Sequence, residues 1–217
     1  MKFHGQLQID RIIYEKYFLK KKNGFYIECG AYDGKMDSNT LFFHLNLDWK
    51  GINIEALPNL FNALQENRKN DINLNFALSD REGTATFTQA VSKNFPYYDG
   101  HFGNGSLEHT EVHKKDLLKR NCSFVKYDVK TECLPSLFTK HVEKRPDLFI
   151  LDVEGHEAKV LSKLSEISED LHPLVWCVEY GYAGYENILD IMTKNNYSLD
   201  YRDRINLLFK KQGVKFD

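Results

Sequence analysis

The chain has 217 residues, with 29 Lys and Arg against 31 Asp and Glu for a formal net charge of −2, and it is 42% hydrophobic and 13% aromatic. That supplies apolar material for one domain of generous size and is too much for a disordered chain. The near-neutral balance argues against a protein that grips nucleic acid through phosphate charge, and no apolar run approaches the roughly 20 residues of a membrane span. The N-terminal sequence lacks a signal-peptide core, and the four cysteines at 29, 122, 133 and 177 show neither CxxC spacing nor disulfide-scaffold density, so a reduced, cytoplasmic setting is expected.

Taken in chain order, Leu7, Ile9, Ile12, Ile13, Tyr17 and Phe18 recur at near-helical spacing. Lys20, Lys21 and Lys22 follow as a solvated helix end, with Gly24 as the stop. Phe25 to Cys29 reads as a short apolar strand running into the turn Gly30 to Gly34. A helix over Asn39 to Leu47 and a strand over Gly51 to Glu55 come next, then a helix with Pro58 in its first turn and Leu60, Phe61, Leu64 and Arg68 along its period. Asn73 to Leu78 and Thr84 to Thr88 read as strands about a turn at Ser79 to Gly83.

From Ala90 to Asn121 the rhythm breaks, with Phe95, Tyr97, Tyr98, His101 and Phe102 set among Gly100, Gly103 and Gly105. Such a stretch is either an inserted lid over a site or a poorly ordered loop. Order returns with strands at Phe124 to Val129, Leu148 to Asp152 and Leu174 to Tyr180. Helices are expected near Leu134 to Lys144, from His156, and at Glu186 to Asn195, with a closing hairpin over Tyr197 to Lys210. The alternation predicts an α/β fold in which one mostly parallel sheet, covered by helices on both faces, absorbs a single domain over residues 1–217. Within it, residues 1–23 form the N-terminal helix and 90–121 the inserted segment.

Ligands of an open parallel sheet gather beyond the carboxyl ends of its strands. The first strand delivers Glu28, Gly30, Asp33 and Gly34, an acidic-x-Gly-x-x-x-Gly pattern that suits a cation or hydroxyl; a diphosphate would want GxGxxG. Glu55 ends the second strand 25 residues after Gly30, where a carboxylate accepts both hydroxyls of a ribose unless it is only a surface Glu before a helix. Loop and acid together indicate a nucleoside without a phosphate requirement, so S-adenosylmethionine (SAM) fits better than NAD. Leu78, Ser79 and Asp80 either clasp an adenine or simply form the turn before Gly83.

The run Asp152-Val-Glu154-Gly-His156-Glu157 concentrates charge directly after a buried strand, which costs folding energy unless a cation, a substrate or a helix N-terminus compensates. Glu157 fits the dipole role, Asp152, Glu154 and His156 a functional one, and Glu179 with Tyr180 ends the next strand. His109 and His113 stand at i, i+4, but without HExxH they read as two exposed histidines. No GxSxG elbow and no phosphate loop of the GxxxxGK[ST] type is present.

Three runs carry a resemblance: Gly24-Phe-Tyr-Ile-Glu-Cys-Gly-Ala-Tyr-Asp-Gly34, Asp37-Ser-Asn-Thr40 and Trp49-Lys-Gly-Ile-Asn-Ile-Glu55. Asn75-Phe-Ala-Leu-Ser-Asp80, Leu151-Asp-Val-Glu-Gly-His-Glu157 and the closing Tyr197…Asn206-Leu-Leu-Phe209 continue it. From Gly24 to Lys210 the chain resembles the FkbM-type SAM-dependent methyltransferases. Cys29, Tyr32 and Ala56-Leu57 depart from the usual pattern, and residues 90–121 match no motif.

The resemblance implies a class I methyltransferase fold, Rossmann-like, with a seven-stranded sheet whose last strand is antiparallel. It implies SAM held by Glu28, Gly30 and Gly34 at the methionine end, Glu55 at the ribose and Leu78, Ser79 and Asp80 near the adenine, with Ala31, Tyr32, Asp33, Ser38, Asn39 and Ala56 completing the set. It also implies O-methylation of a sugar or nucleotide-activated sugar in surface-glycan or secondary-metabolite biosynthesis, without nucleic acid and with a homo-oligomer open.

Asp152, Glu154, His156 and Glu179 are expected at the transferred methyl, with His156 as base because its ordinary pKa lies nearest neutrality. Alternatively Asp152, Glu154 and Glu179 bind Mg²⁺ or Mn²⁺. An NAD-dependent oxidoreductase and a non-catalytic binding module remain the rival readings.

Overall fold

The computed structural model describes residues 1–216. Its elements are α1 (Ile9–Tyr17), β1 (Phe25–Cys29), α2 (Leu41–Asn46), β2 (Lys50–Ile54), α3 (Pro58–Asn67), β3 (Ile72–Leu74), β4 (Ala77–Ser79), β5 (Gly83–Val91) and β6 (His101–Ser106). There follow α4 (Glu111–Lys119), β7 (Ser123–Cys133), α5 (Leu134–His141), β8 (Leu148–Leu151), α6 (Glu157–Leu161), β9 (Val175–Glu179), α7 (Tyr185–Lys194), β10 (Tyr197–Arg202) and β11 (Asn206–Lys211).

Seven strands form the main sheet in the order β10-β11-β9-β8-β1-β2-β3. The pairs β1–β2, β1–β8, β2–β3 and β8–β9 are parallel, and β11 runs antiparallel to both β9 and β10. Strand periodicity explains why the central runs are continuously apolar. Ile27, Phe149, Leu151, Trp176, Val178, Leu207 and Phe209 enter one core with α5, α6 and α7. Their neighbours in sequence, Tyr26, Leu148, Ile150, Val175, Cys177 and Leu208, enter a second core with α1, α2 and Trp49. Alternate side chains on a strand leave by opposite faces, so a strand covered on both sides has no polar position to spare.

The expectation of one sheet for the whole chain does not hold. A second, four-stranded sheet has the order β4-β7-β5-β6. The strand expected over Asn73 to Leu78 is two strands, β3 in the main sheet and β4 in the second, because Asn75 leaves the first ladder to donate through Nδ2 to the carbonyls of Glu55 and Ala56 at 2.8 and 3.0 Å. Residues 90–121, read as a lid or a disordered loop, hold the end of β5, all of β6 and α4. The two sheets meet around the carboxyl ends of β1, β2 and β8. Among the described residues no helix is long and apolar enough to cross a membrane.

Candidate active site

A cleft of about 1120 Å³, its mouth included, opens between the two sheets. Glu28, Gly30, Ala31, Tyr32, Ser38, Asn39, Glu55, Ala56, Leu78, Asp152, Glu154 and His156 line it, joined from the second sheet by Phe87, Gln89 and the stretch Phe102 to Gly105. Asp33, Gly34, Ser79, Asp80 and Glu179 are not among the residues that line it.

The turn after β1 is shaped by close backbone packing. Gly30 has φ +85°, and a Cβ there would lie 1.9 Å from the Asp152 carbonyl oxygen; Gly34 has φ +74°, with Arg68 and Leu64 at 2.7 Å from its missing Cβ. The amides of the turn are spent inside the protein. Gly30 and Ala31 donate to the Ile54 carbonyl at 3.1 and 3.0 Å, Gly34 to the Ala31 carbonyl at 2.9 Å, and Tyr32 to Glu55 Oε2 at 3.0 Å. Lys35 and Met36 donate to Asp33 Oδ1. A pyrophosphate cradle needs such amides free, and here they are not.

Glu28 is buried and carries a structural load. Its carboxylate accepts from Ser38 Oγ, the Asn39 amide at 2.8 Å and Thr40 Oγ1 at 2.5 Å. The fully buried Arg68 ties the same knot, donating to the Gly34 carbonyl, Thr40 Oγ1, the Tyr26 hydroxyl and Asp71. In sequence Arg68 merely continues the period of α3, and only the absence of any apolar residue at that inward position hinted at its role. Asn39 Oδ1 is buried at the cleft without a hydrogen-bond partner.

Glu55 is 7% exposed, with Oε1 accepting from the Leu57 amide at 2.9 Å and Oε2 from Tyr32. Each oxygen accepts one of these bonds and keeps acceptor capacity for a hydroxyl from the cleft that Glu55 lines. Burial raises its pKa to about 7 against those bonds.

Asp152, Glu154 and Glu179 offer carboxylate oxygens that all lie within 4.8 Å of one another. Glu179 is 8% exposed and its Oε2 has no hydrogen-bond partner. Among the described residues no Lys or Arg pairs with any of the three. Burial raises Asp152 to about 6 while a hydrogen bond with Glu179 holds it down, and burial plus the Asp152 charge push Glu179 well up. Burial and the charges of Asp152 and Glu157 push Glu154 well up too, so Asp152 is the most readily ionised of the three. Glu154, φ +57°, accepts from Asn104 Nδ2 at 2.9 Å. Glu157, expected only as a dipole partner, is wholly buried and accepts from the Val153 and Gly155 amides, so it shapes the loop that presents Asp152 and Glu154.

The structure does not join His156 to this trio. Its Nε2 lies 3.0 Å from Ser79 Oγ and its Nδ1 3.9 Å from Glu108, and burial lowers its pKa. Asp80 accepts from Ser79 Oγ. His109 and His113 are not exposed: they are 5% and 1% exposed and meet edge to face, His113 on the buried side of α4 and His109 just before it. Asn104, inside a glycine-rich run, was the site's least legible member; Tyr32, expected in the cofactor set, binds Glu55 and, through its hydroxyl, the His101 carbonyl at 2.5 Å.

The sequence profile of the methyltransferase FkbM domain matches residues 28–199. A crystal structure of methyltransferase FkbM from Methylobacillus flagellatus KT superposes with a TM-score of 0.51 at 13% identity, covering 88% of this chain and 44% of that one. The chain thus spans less than half the length of that protein. Methanococcus jannaschii fibrillarin, a pre-rRNA processing protein, gives 0.48 at 11% identity over 90% and 69% of the two chains. A TehB-like SAM-dependent methyltransferase from Corynebacterium glutamicum gives 0.47 at 8% identity over 94% and 86%. No curated protein matches the sequence.

Proposed function

The chain belongs to the FkbM family of SAM-dependent methyltransferases, and from that premise we propose that it methylates a hydroxyl of a sugar or nucleotide-activated sugar. The observation that supports the hydroxyl assignment is geometric: Asp152, Glu154 and Glu179 bring carboxylate oxygens within 4.8 Å of one another, and Asp152 and Glu154 line the cleft that Glu55 also lines. Glu55 holds the ribose hydroxyls of SAM, and the Gly30 turn, with four of its amides already bonded inside the protein, favours a nucleoside over a dinucleotide. That counts against the nicotinamide oxidoreductase.

SAM supplies an electrophilic methyl group: the acceptor oxygen forms the new C–O bond as the C–S bond breaks, and the demethylated cofactor leaves. Asp152 takes the proton of the attacking hydroxyl, a step a positioned base accelerates roughly 10²- to 10⁴-fold. Glu179, pushed well up by burial and the Asp152 charge, stays the more protonated neighbour beside it. Glu154 orients the acceptor's neighbouring hydroxyls, and the cleft wall from Phe102 to Gly105 excludes water. This moves the base from His156, which is engaged with Ser79, to Asp152.

A specific observation favours a second reading of the same three side chains. Glu179 Oε2 is buried with nothing to bond, beside two more carboxylates that lack a cationic partner. Asp152, Glu154 and Glu179 fit an oxygen-ligand site for Mg²⁺ or Mn²⁺, which would acidify a bound hydroxyl. Incubation of the enzyme with SAM and a panel of free, UDP- and GDP-sugars, read as release of demethylated cofactor, tests both readings. Asp152→Asn should lower turnover at least 10²-fold. Turnover that survives EDTA selects the carboxylate base; loss restored by Mg²⁺ or Mn²⁺ selects the metal. Methylation of phenols or amines but of no sugar would sink the acceptor class.

A further inference from the structure

Glu154 is held from outside its own loop. A non-glycine residue at φ +57° needs its surroundings to fix it, and two side chains of the segment between β5 and β7 supply the hold. Asn104 Nδ2 donates to Oε1 at 2.9 Å, and His113 Nε2 lies 3.5 Å from Oε2. The His113 ring is stacked on Tyr182, with centroids 3.7 Å apart and planes 2° from parallel, and His109 meets it edge-on at 4.7 Å. Stacking accounts for a flat ring at this position but not for the nitrogen aimed at the carboxylate.

Nδ1 of His113 is buried without a partner. The proton therefore belongs on Nε2, the only ring nitrogen with an acceptor in front of it. At 3.5 Å the contact is loose, as such bonds are before substrate draws a site together.

We propose that His113 and Asn104 are positioning residues for methyl transfer: together they clamp both oxygens of Glu154 so that the carboxylate meets the acceptor in one orientation. The clamp rests on the reading of Glu154 as an acceptor-facing group. It also gives the inserted segment a defined task, since without β6 and α4 the third carboxylate of the trio is unheld.

His113→Phe keeps a ring for Tyr182 and removes the donor, whereas His113→Gln keeps an N–H. The panel of UDP- and GDP-sugars with saturating SAM provides the assay. His113→Phe should lose about ten- to a hundredfold in kcat, the scale of misplacing a reacting group, with SAM affinity by calorimetry unchanged, and His113→Gln should recover most of the loss. Wild-type kcat in His113→Phe, or equal losses in both variants, overturns the clamp. Should His113→Phe not fold, Asn104→Leu carries the test: reduced kcat with intact SAM binding supports the clamp and unchanged kcat overturns it. Glu154→Gln run alongside separates the two readings, because wild-type turnover there removes the role of Glu154 itself. Independently of any acceptor, long-range ¹H–¹⁵N spectra of the whole chain should show His113 protonated on Nε2; the Nδ1-protonated tautomer would overturn the proposal.

Discussion

His156 Nε2 lies 3.0 Å from Ser79 Oγ, binding the loop after β8 to the end of β4 across the seam between the two sheets. The imidazole is thereby committed to the wall of the cleft on the Leu78 side. Its lowered pKa follows from burial and needs no catalytic purpose. His156→Ala should weaken SAM binding, seen as a higher KM for SAM, while kcat falls by far less than the 10²-fold that removal of a general base costs. A collapse of kcat with unchanged KM for SAM would return the base role to His156.

Arg68 is the hub of the turn that shapes the cofactor side. Its guanidinium satisfies Thr40, Tyr26, Asp71 and the Gly34 carbonyl from a position with no exposure. Arg68→Met fills much of the volume but leaves Asp71 and Glu28 buried without their cation. Removing one partner of a buried ion pair costs about 3–5 kcal/mol, so denaturant unfolding should show a loss of that order. A loss under about 1 kcal/mol would mean the hydroxyls of the knot suffice alone.

Gly30 tests the backbone rather than a side chain. With a Cβ 1.9 Å from the Asp152 carbonyl oxygen, Gly30→Ala must displace the loop that carries Asp152 and Glu154. Both stability and turnover should fall, the former by more than the roughly 1–3 kcal/mol of left-handed strain alone. Unfolding curves and the sugar-panel assay at saturating SAM check this, and an alanine variant with wild-type turnover would show that the loop has slack.

The main sheet was legible because its strands are buried on both faces. Leu148–Leu151 and Val175–Val178 are unbroken apolar runs, and glycine or proline marks the turns between them. Of the second sheet the cores of β5 and β7 were legible as strands, but not their membership of a separate sheet. β5 and β7 turn one face to solvent, so Thr84, Thr86, Lys126 and Lys130 dilute the pattern, and β6 reads His-Phe-Gly-Asn-Gly-Ser, which has no strand signature. In α4 the inward positions are His113 and Leu117, so a histidine stands where periodicity looks for an apolar residue. Acidic residues were found by their strand ends, whereas Arg68 and Asn104 act on Thr40 and Glu154, 28 and 50 residues away in the chain, and no local pattern encodes such contacts.

Glu55 gives the site a pH dependence whose sign can be worked out. Its carboxyl titrates near 7 in the folded chain, raised by burial, against about 4.3 in an unfolded one. The folded state therefore holds the extra proton between those values, and Glu55's contribution to stability is complete below about pH 4 and lost as pH rises through 7. Relative to Glu55→Gln, the wild type should lose roughly 2–3 kcal/mol between pH 5 and pH 8 without cofactor, measurable by denaturant unfolding of both proteins at each pH. Ribose hydroxyls need the ionised acceptor, so SAM should bind about tenfold more tightly at pH 8 than at pH 6, releasing a proton at the lower pH. Calorimetry in two buffers of different ionisation enthalpy reads that proton directly. A pH-independent SAM affinity with no proton release would place the ribose elsewhere than on Glu55.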